Sequence, residues 1–240
     1  MTVAYTELRV DGGCASAQSE PASDYVALVV AGLEEVATAE IVARFCVAAS
    51  SVCVVAQPPP ADQWAPEQKQ GIVFPGTAGM SKLRFSLPEP GDWQLRWEEL
   101  KLLKAPLCLL ALASVHSGLP FSASECDAWV ESATASSLGW PAAMRTWRML
   151  RRKEPTTFRA SCIRDGQHQF NALRVARAVA GAFHDRFGLQ ACMVGSDCEV
   201  VALVLQHELL LGISLCGEAR GFRGGGRLPA EPRPLLPFCE

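Results

Sequence analysis

Residues 141–190 carry ten basic side chains against three acidic ones, and nine of the ten are arginine: Arg145, Arg148, Arg151, Arg152, Arg159, Arg164, Arg174, Arg177 and Arg186, with Lys153 beside them. That stretch nets +7, whereas residues 1–140 hold 8 basic and 16 acidic side chains and residues 191–240 hold 4 and 6, so the overall −3 conceals a segregation. A guanidinium forks onto a phosphate through two N–H donors, and a concentration of arginine inside an acidic chain suits a polyanion such as RNA. A solvated helix face is an equally open reading of the same residues. Few aromatic side chains lie nearby to stack on bases.

Other chemistry is thinly supported. No GxSxG, HExxH or P-loop pattern occurs, and no catalytic residue is assigned. The ten cysteines include no CxxC pair, and His116, His168, His184 and His207 are not spaced to complete a zinc tetrad, so no metal site is expected. The cysteines are read as reduced thiols, several of them (Cys46, Cys108, Cys192, Cys216) within apolar stretches. Gly224–Gly226 is followed by no helix that would hold a phosphate at its N-terminus.

The elements that position these residues follow from apolar periodicity. At 49% apolar and 20% charged, 240 residues can bury a sizeable core. The longest apolar run, Ala105 to Val115, is about half a membrane span, and no signal peptide opens the chain, so an unsecreted protein without membrane contact is expected. Residues 1–23 are small and polar and read as a disordered leader. Tyr25–Ala31 then reads as a strand, Gly32 as a turn, and EEVATAEIVARF as a helix with Val36, Ala39, Ile41, Val42 and Phe45 on its apolar side. Val52–Ala56 and Gly71–Phe74 read as strands around a proline-rich loop at 58–66. Leu95, Leu100 and Leu103 open a helix, and a strand follows Pro106. The order βαββαβ is that of a ferredoxin-like domain over 24–118.

After HSGLPFSAS, the expected domain boundary, Ser124 caps a helix, and WPAAMRTWRMLRRK forms another with Trp140, Met144, Trp147 and Leu150 on one stripe. Thr156–Ile163 alternates as a strand. Asn171–Phe187 is a helix closed by Gly188, with Leu173, Ala176, Val179, Ala180, Phe183 and Phe187 buried. On its other side Arg174, Arg177, Gly181 and His184 form a stripe whose glycine would admit another backbone. Val200–Leu205 and Leu209–Leu215 pair as a hairpin turned at His207.

From Thr157 onward the chain resembles the THUMP domain, an RNA-binding α/β module, through Arg164, Gly166, His168, Phe170, Gly181, Asp197, Glu199, Val200, Val201 and Gly212-Ile213. Upstream, Gly32, Glu34, Glu35, Glu40 and Gly71-Ile72-Val73-Phe74 are similar to the domain preceding THUMP in the RNA guanosine-N2 methyltransferases. The resemblance implies an α/β chain: a ferredoxin-like domain at 24–118, a THUMP domain at 120–217, and a flexible tail at 218–240. It implies RNA contact through Arg145, Arg148, Arg151, Arg152, Arg159, Arg164, His168, Arg174 and Arg177, with Asp197 and Glu199 positioning their strand.

The partner that the resemblance implies is a structured RNA, a tRNA acceptor end or a small nuclear RNA, in the cytoplasm or nucleus. In that family a Rossmann-type domain binds S-adenosylmethionine, and a small activator subunit accompanies the full-length enzyme. Only 25 residues follow Leu215, rich in Gly and Pro, so the catalytic domain and cofactor site are expected to lie outside this chain. A non-catalytic protein-interaction or regulatory module derived from the family is the alternative.

Overall fold

The apolar runs become strands of one eight-stranded sheet in a computed structural model, which describes residues 22–56, 80–165 and 168–215. In chain order the elements begin β1 (Ala22–Val30), α1 (Glu34–Phe45), a single 3-10 turn, β2 (Val52–Ala56) and β3 (Met80–Pro88). They continue with α2 (Trp93–Lys101), β4 (Pro106–Ser117), α3 (Ala123–Ser136), α4 (Trp140–Arg151) and β5 (Thr157–Asp165). Last come α5 (Ala172–Phe187), β6 (Gln190–Ala191), β7 (Cys198–Leu205) and β8 (Glu208–Ser214). The fold is mixed α/β, with strand order β2-β3-β1-β4-β8-β7-β5-β6. The first four strands in that order reproduce a split β-α-β arrangement, and β4 pairs antiparallel with β8, so the sheet runs on past the turn at Gly118. Among the described residues, parallel pairing is confined to β5 with β7 and with β6.

All five described helices lie on one face. Ile41, Leu100, Val130, Trp147 and Val179, one from each helix, join Tyr25, Phe85, Ala111, Phe158, Ala202 and Leu211 of the strands in the main core. The opposite face carries a second apolar cluster built from strands, including Val26, Leu28, Leu110, Ile163, Val201, Leu203 and Leu210. Strand-to-strand twist accumulates across such a sheet and brings distant strands toward each other. Lys82 of β3 and Asp165 of β5, five strands apart in the order, meet at 2.9 Å.

Several expectations are corrected. The third strand is β3, where Leu83, Phe85 and Leu87 point into the main core and Arg84 and Ser86 alternate outward; the strand expected at 71–74 lies outside the described residues, as do the loop at 58–66 and the tail at 218–240. The leader expected through residue 23 ends sooner, because Ala22 and Ser23 already pair with Pro88 and Leu87 in β1. α1 buries Ala37 and Ile41, while Val36 and Ala39 face solvent, because the helix lies over β1 and β3 on that side. Ser122, not Ser124, caps α3: its hydroxyl accepts the Ser124 N–H at 3.3 Å. Ala176, Val179 and Phe183 are buried as expected, but Leu173 is exposed and Phe187 half-buried, since α5 turns Val175, Ala178 and Ala182 inward instead. No described helix is long and apolar enough to cross a membrane.

Candidate nucleic-acid interface

The arginines of the basic stretch are placed by what their helices bury. α4 sinks Trp140, Met144, Trp147 and Leu150 into the core, with the Trp140 indole N–H donating to the Thr134 carbonyl at 2.9 Å. The helix starts hard against β4: a Cβ on Gly139 would lie 2.0 Å from the Ala113 carbonyl oxygen, so only glycine fits there. With that side buried, Arg145 and Arg148 face outward. α5 is capped by Asn171, whose side chain accepts the Arg174 N–H at 2.9 Å, and ends at Gly188 in the left-handed region. Its outward stripe holds Arg174, Arg177, Gly181 and His184 as expected, and Gly181 is open: nothing among the described residues lies within 4 Å of a Cβ built there.

The nine candidate residues do not form one patch. Arg145 faces Glu89 at 3.5 Å and Arg148 pairs with Glu154 at 2.8 Å. Arg151 donates to the Leu215 carbonyl at 2.7 Å and lies 4.6 Å from the centre of the Trp97 ring. Arg159 is on the sheet face opposite the helices, paired with Glu199 at 2.8 Å, whose other oxygen accepts the Ser161 hydroxyl at 2.8 Å. Arg164 braces a loop, donating to the carbonyls of His168 at 3.0 Å and Phe170 at 2.6 Å. His168 is stacked 4.9 Å from Phe121 and hydrogen-bonds the Gln206 carbonyl at 2.6 Å, while Gly166 lies outside the described residues. Arg174 pairs with Asp127 at 2.6 Å. Arg152 and Arg177 are exposed and have no ion-pair or hydrogen-bond partner among the described residues. Arg177 lines an open groove of about 440 Å³ with Asp127, Glu131, Asn171, Leu173 and Arg174.

Asp197 organises the approach to β5. Its carboxylate accepts Lys153, the Thr156 N–H at 2.8 Å and the Thr157 N–H at 3.0 Å, together with both threonine hydroxyls. Lys153 and these donors hold its pKa well below the usual carboxylate range. Asp197 and Glu199 thus both tie β7 to β5. Glu34 and Glu40 are structural as well: Glu34 accepts the Gly32 N–H at 2.8 Å, and Glu40 accepts the N–H groups of Lys104 at 2.8 Å and Ala105 at 3.0 Å.

Groups with nucleophilic or ligating chemistry are quiet. Burial pushes the thiols of Cys126, Cys162 and Cys198 up to about 11, 12 and 12, which keeps them protonated. No cluster of three or more His, Cys, Asp or Glu side chains suited to a metal occurs among the described residues. Patterns missed in the sequence include His116 with Ser114 and Ser137, whose hydroxyls lie 3.0 and 2.8 Å from its Nε2. Ser137 donates to the Ala133 carbonyl at 2.7 Å, so Ser114 donates to Ser137 and Nε2–H donates to both oxygens. That imidazole nitrogen carries a proton and does not act as a base toward either serine.

For S-adenosylmethionine the described residues offer no cradle. The strand-to-helix turn after β1 has its Gly32 N–H already occupied by Glu34, and no doubly wound parallel sheet is present among them. No protein-family model and no curated protein matches the sequence. Among solved structures the chain is similar to TrmN from Thermus thermophilus, with a TM-score of 0.55 and 20% identity over 81% of this chain and 46% of that one. A predicted N6-adenine-specific DNA methylase from Listeria monocytogenes gives 0.48 and 12%, over 81% of this chain and 40% of that one. A 4-thiouridine synthetase solved with RNA and ATP gives 0.41 and 12%, over 80% of this chain and 41% of that one. Of these three, TrmN is the one above one half, and at 20% identity the likeness is one of fold. The chain spans less than half the length of TrmN.

Proposed function

We infer that this chain is an RNA-binding module of THUMP type that positions a structured RNA for modification by a catalytic unit outside the described residues. The observation that carries the reading is the placement of the +7 stretch. Its two helices, α4 and α5, bury their apolar sides on the same face of the sheet and present Arg145, Arg148, Arg174 and Arg177 on their outer surfaces, and Arg152 follows the end of α4 exposed. The likeness to the fold of TrmN supports it. On this reading the RNA is a tRNA acceptor end or a small nuclear RNA, the modification is guanine-N2 methylation, and S-adenosylmethionine and any activator subunit belong to the catalytic unit.

Contacts from these arginines are to phosphate, which positions an RNA without reading its sequence. Arg152 and Arg177 carry most of the attraction, because carboxylates already offset Arg145, Arg148 and Arg174. Arg164 is a poor probe, since its loss would release the loop at 168–170. Reversing Arg152 and Arg177 to glutamate together should weaken binding to a transfer RNA transcript at least tenfold, about 1.4 kcal/mol, with an unchanged circular dichroism spectrum. Equal affinity in the variant would refute this assignment of the surface.

A further inference from the structure

The end of α4 carries a conformation that its sequence does not favour. Arg152 sits at the C-cap with φ 51°, in the left-handed region where helices usually place glycine or asparagine because a Cβ crowds the backbone there. The segment that follows is tied on every side. Glu154 is held by Arg148, Lys153 by Asp197, Pro155 is buried, and both Thr156 and Thr157 bind Asp197. Immediately before Arg152, Arg151 is committed to the Leu215 carbonyl and the Trp97 ring. Within this clamped stretch Arg152 is exposed and has no carboxylate or carbonyl partner among the described residues.

We propose that Arg152 is a preorganised phosphate contact: its side chain, carried on a left-handed backbone position between immobilised neighbours, grips the RNA backbone. The proposal rests on the RNA-binding reading above and deepens it to one residue and one ligand group. Immobilising the backbone on both sides of a charged side chain lowers the ordering cost of binding, so a guanidinium carried on it outperforms one on a loose loop. Arg145 and Arg148, at i and i+3 on the exposed side of α4, precede Arg152, whose left-handed turn takes its side chain off that helical stripe. An exposed guanidinium with no hydrogen-bonding neighbour among the described residues to fix its angle suits a phosphate, which it can fork from many directions, and not a base edge. The recognised group is therefore the phosphodiester backbone, independent of sequence.

The test uses the whole chain, a transfer RNA transcript and an unrelated RNA hairpin. Arg152→Gly and Arg152→Asn both tolerate the left-handed conformation, and Arg152→Lys keeps the charge. The glycine and asparagine variants should lose about three- to tenfold in affinity for both RNAs alike. The slope of log K against log salt should fall by about 0.7–0.9, one phosphate's worth, while the thermal midpoint stays at or above that of the wild type. The lysine variant should keep the wild-type slope. If the wild type binds and the glycine variant binds with the same slope, the Arg152 assignment is overturned while RNA binding stands; a midpoint several degrees lower in the glycine variant overturns it too, by making the side chain structural. Failure of the wild-type chain to bind either RNA removes the RNA reading itself and the proposal with it.

Discussion

The contact between Lys82 and Asp165 is a sharp probe of how the sheet is held, because its two partners stand in different surroundings. The lysine side chain is 0% exposed and the aspartate 24% exposed, at 2.9 Å. Asp165→Asn leaves an ammonium group inside the protein without its counter-charge, and breaking a buried pair in this way costs about 3–5 kcal/mol. Lys82→Met removes the buried charge, fills the same space with an apolar stem, and leaves a carboxylate that already reaches water, so it should cost less than about 1 kcal/mol. The double variant should fall near the methionine single, since the asparagine is harmful only while the lysine remains. Urea unfolding followed by tryptophan fluorescence measures all four proteins, and the midpoints decide if the slopes agree. A 3 kcal/mol loss is roughly a 150-fold shift in the folding equilibrium, well outside the error of extrapolation. Equal losses for the two single variants, or a methionine variant worse than the asparagine one, would refute the argument that the buried charge and not the pairing sets the cost.

Other consequences are open to the same instruments. Gly139→Ala places a Cβ 2.0 Å from a backbone oxygen and should destabilise by about 2–4 kcal/mol, whereas Gly181→Ala, with open space and a helical interior, should stabilise by about 0.5–1 kcal/mol in the same unfolding assay. Asp197→Ala removes an acceptor of two backbone N–H groups and should cost about 2 kcal/mol at neutral pH. Because the folded state holds the Asp197 carboxyl below its ordinary range, that loss should be constant above about pH 5 and shrink as the pH falls below about 4, where the carboxyl of the unfolded chain takes up a proton before the folded one does. Burial lowers the His116 pKa, so the neutral ring is favoured in the fold; stability from this source is present above the ordinary histidine range and declines as pH falls below it, a decline that His116→Gln should remove from a pH series of thermal midpoints.

The sequence made legible what periodicity and end signals control. The stripe of Trp140, Met144, Trp147 and Leu150, the Gly188 cap and the hairpin turned at His207 each depend on neighbours within one or two turns of chain. β3 was hidden because Ser81, Lys82, Arg84 and Ser86 dilute its hydrophobicity, and the burial of Lys82 depends on a partner 83 residues away. The basic stretch was visible as charge, but strand alternation sends Arg159 to the far face, and loop closure turns Arg164 inward to two carbonyls. Neither is readable before the pairing of β5 with β7 is known. Arg174 illustrates the same limit: its neutralising carboxylate, Asp127, comes from a different helix.

The central claim is that the outward arginines of α4 and α5 bind RNA through phosphate. Its most direct measurement is the equilibrium affinity of the whole chain for a transfer RNA transcript between low and physiological salt. Phosphate contact through Arg152 and Arg177, with smaller shares from the paired arginines, predicts a log–log slope of at least about −1.4 to −1.8, two phosphates' worth. An affinity that does not change with salt, or no binding at low salt, would contradict the account.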